Sequence, residues 1–152
     1  MTKLVLKMDN RNDNIKTPPP LPRDRLLSMQ KKEWGICVNK MLLHIEGLVI
    51  LSLSLYFYSY NQLSWVLFFV LLLAPDISML GYVINKKIGA VLYNICHTYS
   101  LSIGVVVCGV VLSNQIVLAI GIIWTAHIGM DRAVGFGLKY PTDFKDTHLN
   151  RV

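Results

Sequence analysis

The stretch Ile122–Tyr140 reads IIWTAHIGMDRAVGFGLKY, an apolar run that carries His127 and, four residues later, Asp131. Residues at i and i+4 share one face of a helix. An imidazole and a carboxylate placed that way can hold one metal ion together or hand a proton from one to the other. Ionisable groups inside an apolar span are costly to bury and mark function by default. Groups of the same chemistry stand upstream: Glu46, Asp76 and His97, with Tyr93 and Asn94 close by. Imidazole and carboxylate together suit zinc, iron or manganese, so Asp76, His97, His127 and Asp131 are the candidate ligands. Glu46 would remain as general base for a water that the metal activates. The candidate catalytic residues are then Glu46, Asp76, His97, His127 and Asp131, supported by Tyr93, Asn94, Arg132 and His148.

Two other chemistries use the same residues. A buried chain of Asp, Glu and His also suits a proton relay or ion pathway. Alternatively, Glu46, Asp76 and Arg132 could pair structurally, with Asn94 and the histidines completing a hydrogen-bonded network between helices. No Gly-rich phosphate loop, nucleophile elbow or HExxH string is present.

The elements that must position these groups are apolar. Between Met41 and Met130 the only formal charges are Glu46, Asp76, Lys86 and Lys87. A soluble bundle would carry a polar stripe along each helix, whereas a bilayer core requires stretches of ~20 apolar residues. The pattern predicts an all-α polytopic membrane protein, a four-helix transmembrane bundle over residues 41–138. Its spans are expected at about 41–58, 63–84, 88–112 and 116–131. Ahead of it, residues 1–40 read as a disordered, basic cytoplasmic tail with the proline run Thr17–Pro22. Behind it, residues 139–152 read as a polar C-terminal tail that could fold back, with Phe144 and Leu149 as anchors and His148 carried towards the pocket.

Tyr56, Tyr58, Tyr60 and Trp65 flank the first uncharged link, as an interfacial aromatic belt would. Pro75 should kink the second span. Cys96, Ser100, Gly104 and Cys108, each four apart in the third span, form a row of small residues suited to close helix packing or to an oligomer contact. The three cysteines lack CxxC spacing and imply no disulfide framework. The net charge of +6 comes mostly from the first forty residues. Beside a span, that charge reports orientation and attraction to anionic lipid, with no sign of nucleic-acid binding. Basic residues precede span one, separate spans two and three, and follow span four, which places both termini in the cytoplasm. Glu46, Asp76, Asn94, His97, His127 and Asp131 then converge on one layer of the inner leaflet.

The chain resembles a family of small bacterial integral membrane proteins called domain of unknown function 4260. The resemblance rests on Ala74–Tyr82 (APDISMLGY), Tyr93-Asn94 with His97-Thr98-Tyr99, and His127-Ile128-Gly129 with Asp131-Arg132. Gly137–Tyr140 with Phe144 and Thr147–Leu149, and Glu46-Gly47, also fit. It covers about 41–149; Phe136 stands where the pattern has a tyrosine. The resemblance implies a four-span protein of a bacterial inner or plasma membrane and supplies no activity. The motif residues are also loosely similar to membrane metal-dependent hydrolases of the ceramidase and adiponectin-receptor type, although this chain lacks a His-x-x-x-His pair. The favoured expectation is a hydrolase using a divalent transition metal such as zinc on a lipid or amphiphile. A small proton- or ion-coupled carrier, or a structural membrane protein, are the alternatives.

Overall fold

The computed structural model of the protein describes residues 21–142 and 145–151. The proline run from Thr17 to Pro20 and Phe144 lie outside the described residues. The elements are α1 (Arg23–Tyr60), α2 (Trp65–Leu71), a 3₁₀ helix (Ala74–Val83), α3 (Lys86–Cys96), α4 (Tyr99–Val111), α5 (Gln115–Val134) and the single turn α6 (His148–Arg151). Among the described residues the fold is all-α, with one isolated antiparallel bridge between Lys139 and Thr147.

α5 is the axis of the molecule. It packs along α1 on one side and α4 on the other, and α2 also touches it. The 3₁₀ helix and α3 pack on each other as a hairpin. Ala119, Ile122, Ile123, Ala126, His127 and Ile128 of α5 are all buried. In α1, by contrast, only Gly47, Ser54 and Tyr58 are. Most large apolar side chains of α1, the 3₁₀ helix and α4 therefore face outward, which is the surface an apolar solvent wants rather than water. Among the described residues three helices are long and apolar enough to cross a membrane: Arg23–Tyr60, Trp65–Val83 and Gln115–Val134. α3 and α4, meeting at 41°, make a fourth if counted as one span.

Close approach sets the two long interfaces. A Cβ built on Gly47 would lie 2.6 Å from the Ala133 nitrogen, and one on Gly129 would lie 2.8 Å from the Leu51 nitrogen, so α1 and α5 touch backbone to backbone. Gly109 and Gly121 do the same for α4 and α5, with Val106 nitrogen 2.6 Å from a Cβ on Gly121. The expected row Cys96, Ser100, Gly104, Cys108 does not pack within the chain. Ser100, Gly104 and Cys108 are exposed, and a Cβ on Gly104 would meet nothing within 4 Å. The row also straddles a helix break, so the four residues do not share one helix face.

Other boundaries differ from the sequence expectation. No boundary falls at Met41, because α1 runs unbroken from Arg23. Leu26, Leu27, Met29, Gln30, Lys31, Lys32 and Glu33 are good helix formers, and Pro22 stands just ahead of the first turn, where its missing N–H costs nothing. At ~1.5 Å per residue α1 is roughly 57 Å long, nearly twice a ~30 Å hydrocarbon core. The Pro75 break is more than a kink: α2 stops at Leu71 and the chain resumes as a 3₁₀ helix with Pro75 in its first turn. The expected third span breaks at His97-Thr98, where Thr98 is extended. The break frees the Cys96 carbonyl, and Trp124 Nε1 donates to it at 2.6 Å. At the opposite end of the bundle the buried Tyr58 donates to the Ser64 carbonyl at 2.6 Å and packs edge-on against Phe68, locking α1 to α2. Tyr56, Tyr60 and Trp65 stay exposed there.

Candidate metal centre

Each candidate ligand sits at an irregularity or at the buried face of α5. Asp76 is in the first turn of the 3₁₀ helix that Pro75 begins. His97 is the residue at which α3 ends. His127 and Asp131 are one turn apart on α5. The two breaks in the chain are thus what bring Asp76 and His97 against α5.

One ligand atom from each of these four residues lies within 4.8 Å of all the others. His97 Nε2 is 3.1 Å from His127 Nε2, 3.4 Å from Asp76 Oδ1 and 3.5 Å from Asp131 Oδ2. His127 Nε2 is 3.6 Å from Asp76 Oδ1 and 3.7 Å from Asp131 Oδ2. A tetrahedral ion bound at ~2.0–2.1 Å has ligand atoms about 3.3 Å apart, and the five separations bracket that edge. Both histidines are buried, the Asp131 side chain is 13% exposed and that of Asp76 is 34% exposed. The centre is therefore closed on three sides and open at Asp76.

Groups behind the ligands orient them. His97 Nδ1 lies 2.9 Å from the Tyr93 carbonyl, which can only accept, so Nδ1 carries the proton and Nε2 turns its lone pair to the centre. Metal-bound histidines are held from behind in the same way. The Tyr93 ring stacks on the His97 ring at 3.7 Å, and its hydroxyl donates to Asp131 Oδ2 at 3.2 Å. His127 Nδ1 is buried with no hydrogen-bond partner among the described residues, so the polar contacts of that ring are those of Nε2 at the centre.

The segment after α5 returns to the site. Gly135, with φ +100°, ends the helix in the left-handed region that glycine tolerates. His44 Nδ1 donates to the Ala133 carbonyl at 2.9 Å and closes the same helix end. Beyond it, Tyr140 N–H bonds to the Asp146 carbonyl and His148 N–H to the Leu138 carbonyl, forming a short hairpin. Asn94 clamps its inner edge, accepting from Lys139 N–H at 2.7 Å and donating to the Lys139 carbonyl at 2.9 Å. Lys139 is buried, with Nζ 4.3 Å from the centroid of the Tyr93 ring and 5.4 Å from that of Tyr82. Burial pulls its ammonium below the ordinary lysine range, while the charges of Asp76 and Asp131 work against that shift.

Asp76, His97, His127 and Asp131 thus come together, with Tyr93 in contact with His97 and Asp131, while Asn94 bonds to the Lys139 backbone instead. Glu46 does not join the four; it is exposed and lines a separate groove with Tyr99, Arg132 and His148. Arg132 pairs with neither Glu46 nor Asp76, and its Nη1 lies 3.3 Å from His148 Nδ1 instead. The C-terminal segment does fold back, but Leu149 is fully buried in protein. Sequence reasoning treated Lys139 as part of a polar tail. The usable signal was its place in the string Gly137–Tyr140.

Residues 40–152 match the family described as Domain of unknown function (DUF4260), and the chain belongs to that family. No curated protein and no solved structure matches it.

Proposed function

We propose that this member of the family is a multi-pass protein of the cell membrane whose Asp76, His97, His127 and Asp131 hold one divalent transition metal, zinc first, and hydrolyse a lipid or amphiphile. One observation carries the metal: donor atoms contributed by three separate chain segments, the 3₁₀ helix, the end of α3 and α5, stand 3.1–3.6 Å apart across those segments. Without an ion, two carboxylates and two imidazoles crowded in an apolar interior would be costly. Spans whose apolar side chains face outward support the membrane, and the basic residues of α1, Lys86-Lys87 and the C-terminal segment support a cytoplasmic position for the centre.

When bound, the metal supplies a Lewis acid and makes a coordinated water acidic enough to ionise near neutral pH. His97, His127 and Asp131 are the standing ligands, two imidazoles and a carboxylate. Asp76, on the open edge, would be the carboxylate placed to accept a proton from a water held there, the part the sequence assigned to Glu46. Tyr93 steadies Asp131, and the buried Lys139 ammonium faces the negative charge that builds as a carbonyl or phosphoryl is attacked. An apolar cavity of about 510 Å³ is lined by Leu71, Pro75, Ile77, Leu92, Cys96 and Trp124, among them the chain neighbours of Asp76 and His97. Pro75 and Ile77 bracket Asp76, and Cys96 precedes His97. A cavity of that size fits a small ligand, and its walls suit an acyl chain.

Metal analysis of the purified full chain tests this. About one equivalent is expected, lost in His127→Ala and Asp131→Ala and kept in Asp76→Asn, which should lose hydrolysis of a fluorogenic lipid ester. A metal-free protein as stable as a metal-loaded one overturns the reading. The 3.1 Å contact between the two Nε2 atoms favours one other use, a shared proton in a carrier. Such a protein would hold no metal and would show pH-dependent flux lost in Asp76→Asn.

A further inference from the structure

We propose that the groove between α1, the start of α4 and the end of α5 binds one aminophospholipid headgroup, its phosphate on Arg132 and its ammonium on Glu46. The groove has a volume of about 510 Å³ and is separate from the metal centre and its apolar cavity. Its two charges are not spent on each other. Among the described residues no carboxylate pairs with the Arg132 guanidinium, whose contacts run to the His148 ring at 3.3 and 3.4 Å. Glu46, exposed on α1, makes no ion pair among them either. A guanidinium this sheltered is costly without an anion, and its fork matches phosphate oxygens.

Two more donors converge there. The Tyr99 hydroxyl is buried and has no hydrogen-bond partner among the described residues. His148 Nδ1 accepts from Leu138 N–H at 2.9 Å, so the proton of the neutral ring sits on Nε2. Tyr99 is the first residue of α4, whose N-terminus has no side-chain cap, so free N–H groups stand at the same end. Leu43, Ile45, Val49 and Ile50 of α1 line the same groove, and Ile45, Leu48, Val49 and Leu53 of that helix are exposed. A cation and an anion that line one groove without pairing, together with its apolar residues, match a phosphate diester that carries a primary ammonium and acyl chains. A glycerol headgroup would leave Glu46 facing a phosphate with no cation between them. A choline headgroup could not hydrogen-bond to Glu46. The inference does not depend on the metal.

The test is native mass spectrometry of the full chain in detergent with an equimolar mixture of ethanolamine, choline and glycerol phospholipids of identical acyl chains. One retained lipid is expected, with ethanolamine favoured about tenfold, the scale of one charge-assisted hydrogen bond. Glu46→Gln, at an exposed position, should shrink that preference to within about twofold. Arg132→Gln should abolish retention of all three lipids, and Arg132→Lys should restore part of it. Metal content measured on the same samples separates this result from the fate of the metal centre. Equal retention of the three lipids, or an unchanged preference in Glu46→Gln, overturns the proposal. Displacement by free O-phosphoethanolamine at lipid-like concentration overturns the lipid assignment in favour of a soluble phosphate ester.

Discussion

Asn94→Ala removes the clamp that holds the C-terminal hairpin against α3. The wild-type amide makes two hydrogen bonds, to Lys139 N–H at 2.7 Å and to the Lys139 carbonyl at 2.9 Å. Lys139 is buried, so both groups lose their partner where water does not readily replace it. Two bonds at about 1 kcal/mol each, with a further cost for stranded buried groups, give a local loss of about 2–4 kcal/mol. At tenfold per ~1.4 kcal/mol, the hairpin should open roughly 30- to 1,000-fold more often. Hydrogen–deuterium exchange of the detergent-solubilised protein reads this directly, because local opening sets amide exchange. Peptides covering 137–142 and 145–149 should accelerate by that range while α1 and α5 keep their protection. Asn94→Asp retains the acceptor for Lys139 N–H and should lose about half as much. Unchanged exchange, or acceleration spread equally over α5, would refute the assignment of Asn94 as a local clamp.

Gly129→Ala should destabilise by about 1–3 kcal/mol, the usual cost of forcing atoms into a filled interface, because its Cβ meets the α1 backbone. Gly104→Ala, with nothing within 4 Å, should be neutral or mildly stabilising, and thermal melts of the two compare them. Tyr93→Phe keeps the ring over His97 but loses the hydroxyl on Asp131, so zinc affinity should fall about 10- to 100-fold in a chelator competition, with the fold intact. Burial, then the charge of Arg132, hold the His148 imidazole below its ordinary value of 6.5. The folded state therefore binds fewer protons than the unfolded one across that window. Its contribution to stability is fully present above about 6.5 and falls as pH drops towards the folded value. Denaturation between pH 7.5 and 5 should show a shallower loss in His148→Asn, which keeps an acceptor for Leu138 N–H but cannot charge.

Much of the centre was legible because its geometry is local or chemically singular. His127 and Asp131 share a helix face by spacing alone, and Pro75 announces the break that aims Asp76. The break at His97-Thr98 carries no proline or glycine. It is stabilised from α5, by Trp124 on the Cys96 carbonyl, a contact that no local pattern encodes. Small-residue spacing pointed to Cys96, Ser100, Gly104 and Cys108, yet close approach falls at Gly47 with Gly129 and at Gly109 with Gly121. A four-residue spacing identifies a face of a helix but not which face is inward when every face is apolar. Glu46 shared an expected depth with the ligands, but depth along a helix says nothing about rotation, and its side chain lies on the groove side of α1.

The central claim is that four named side chains hold one metal ion, and X-ray absorption at the metal edge of the purified full chain tests it most directly. The expected spectrum shows one transition metal per chain with two imidazole nitrogens and two oxygens at about 2.0–2.1 Å, one imidazole being lost in His97→Ala. A shell containing sulfur, a shell of oxygens alone, or no edge above background would contradict it.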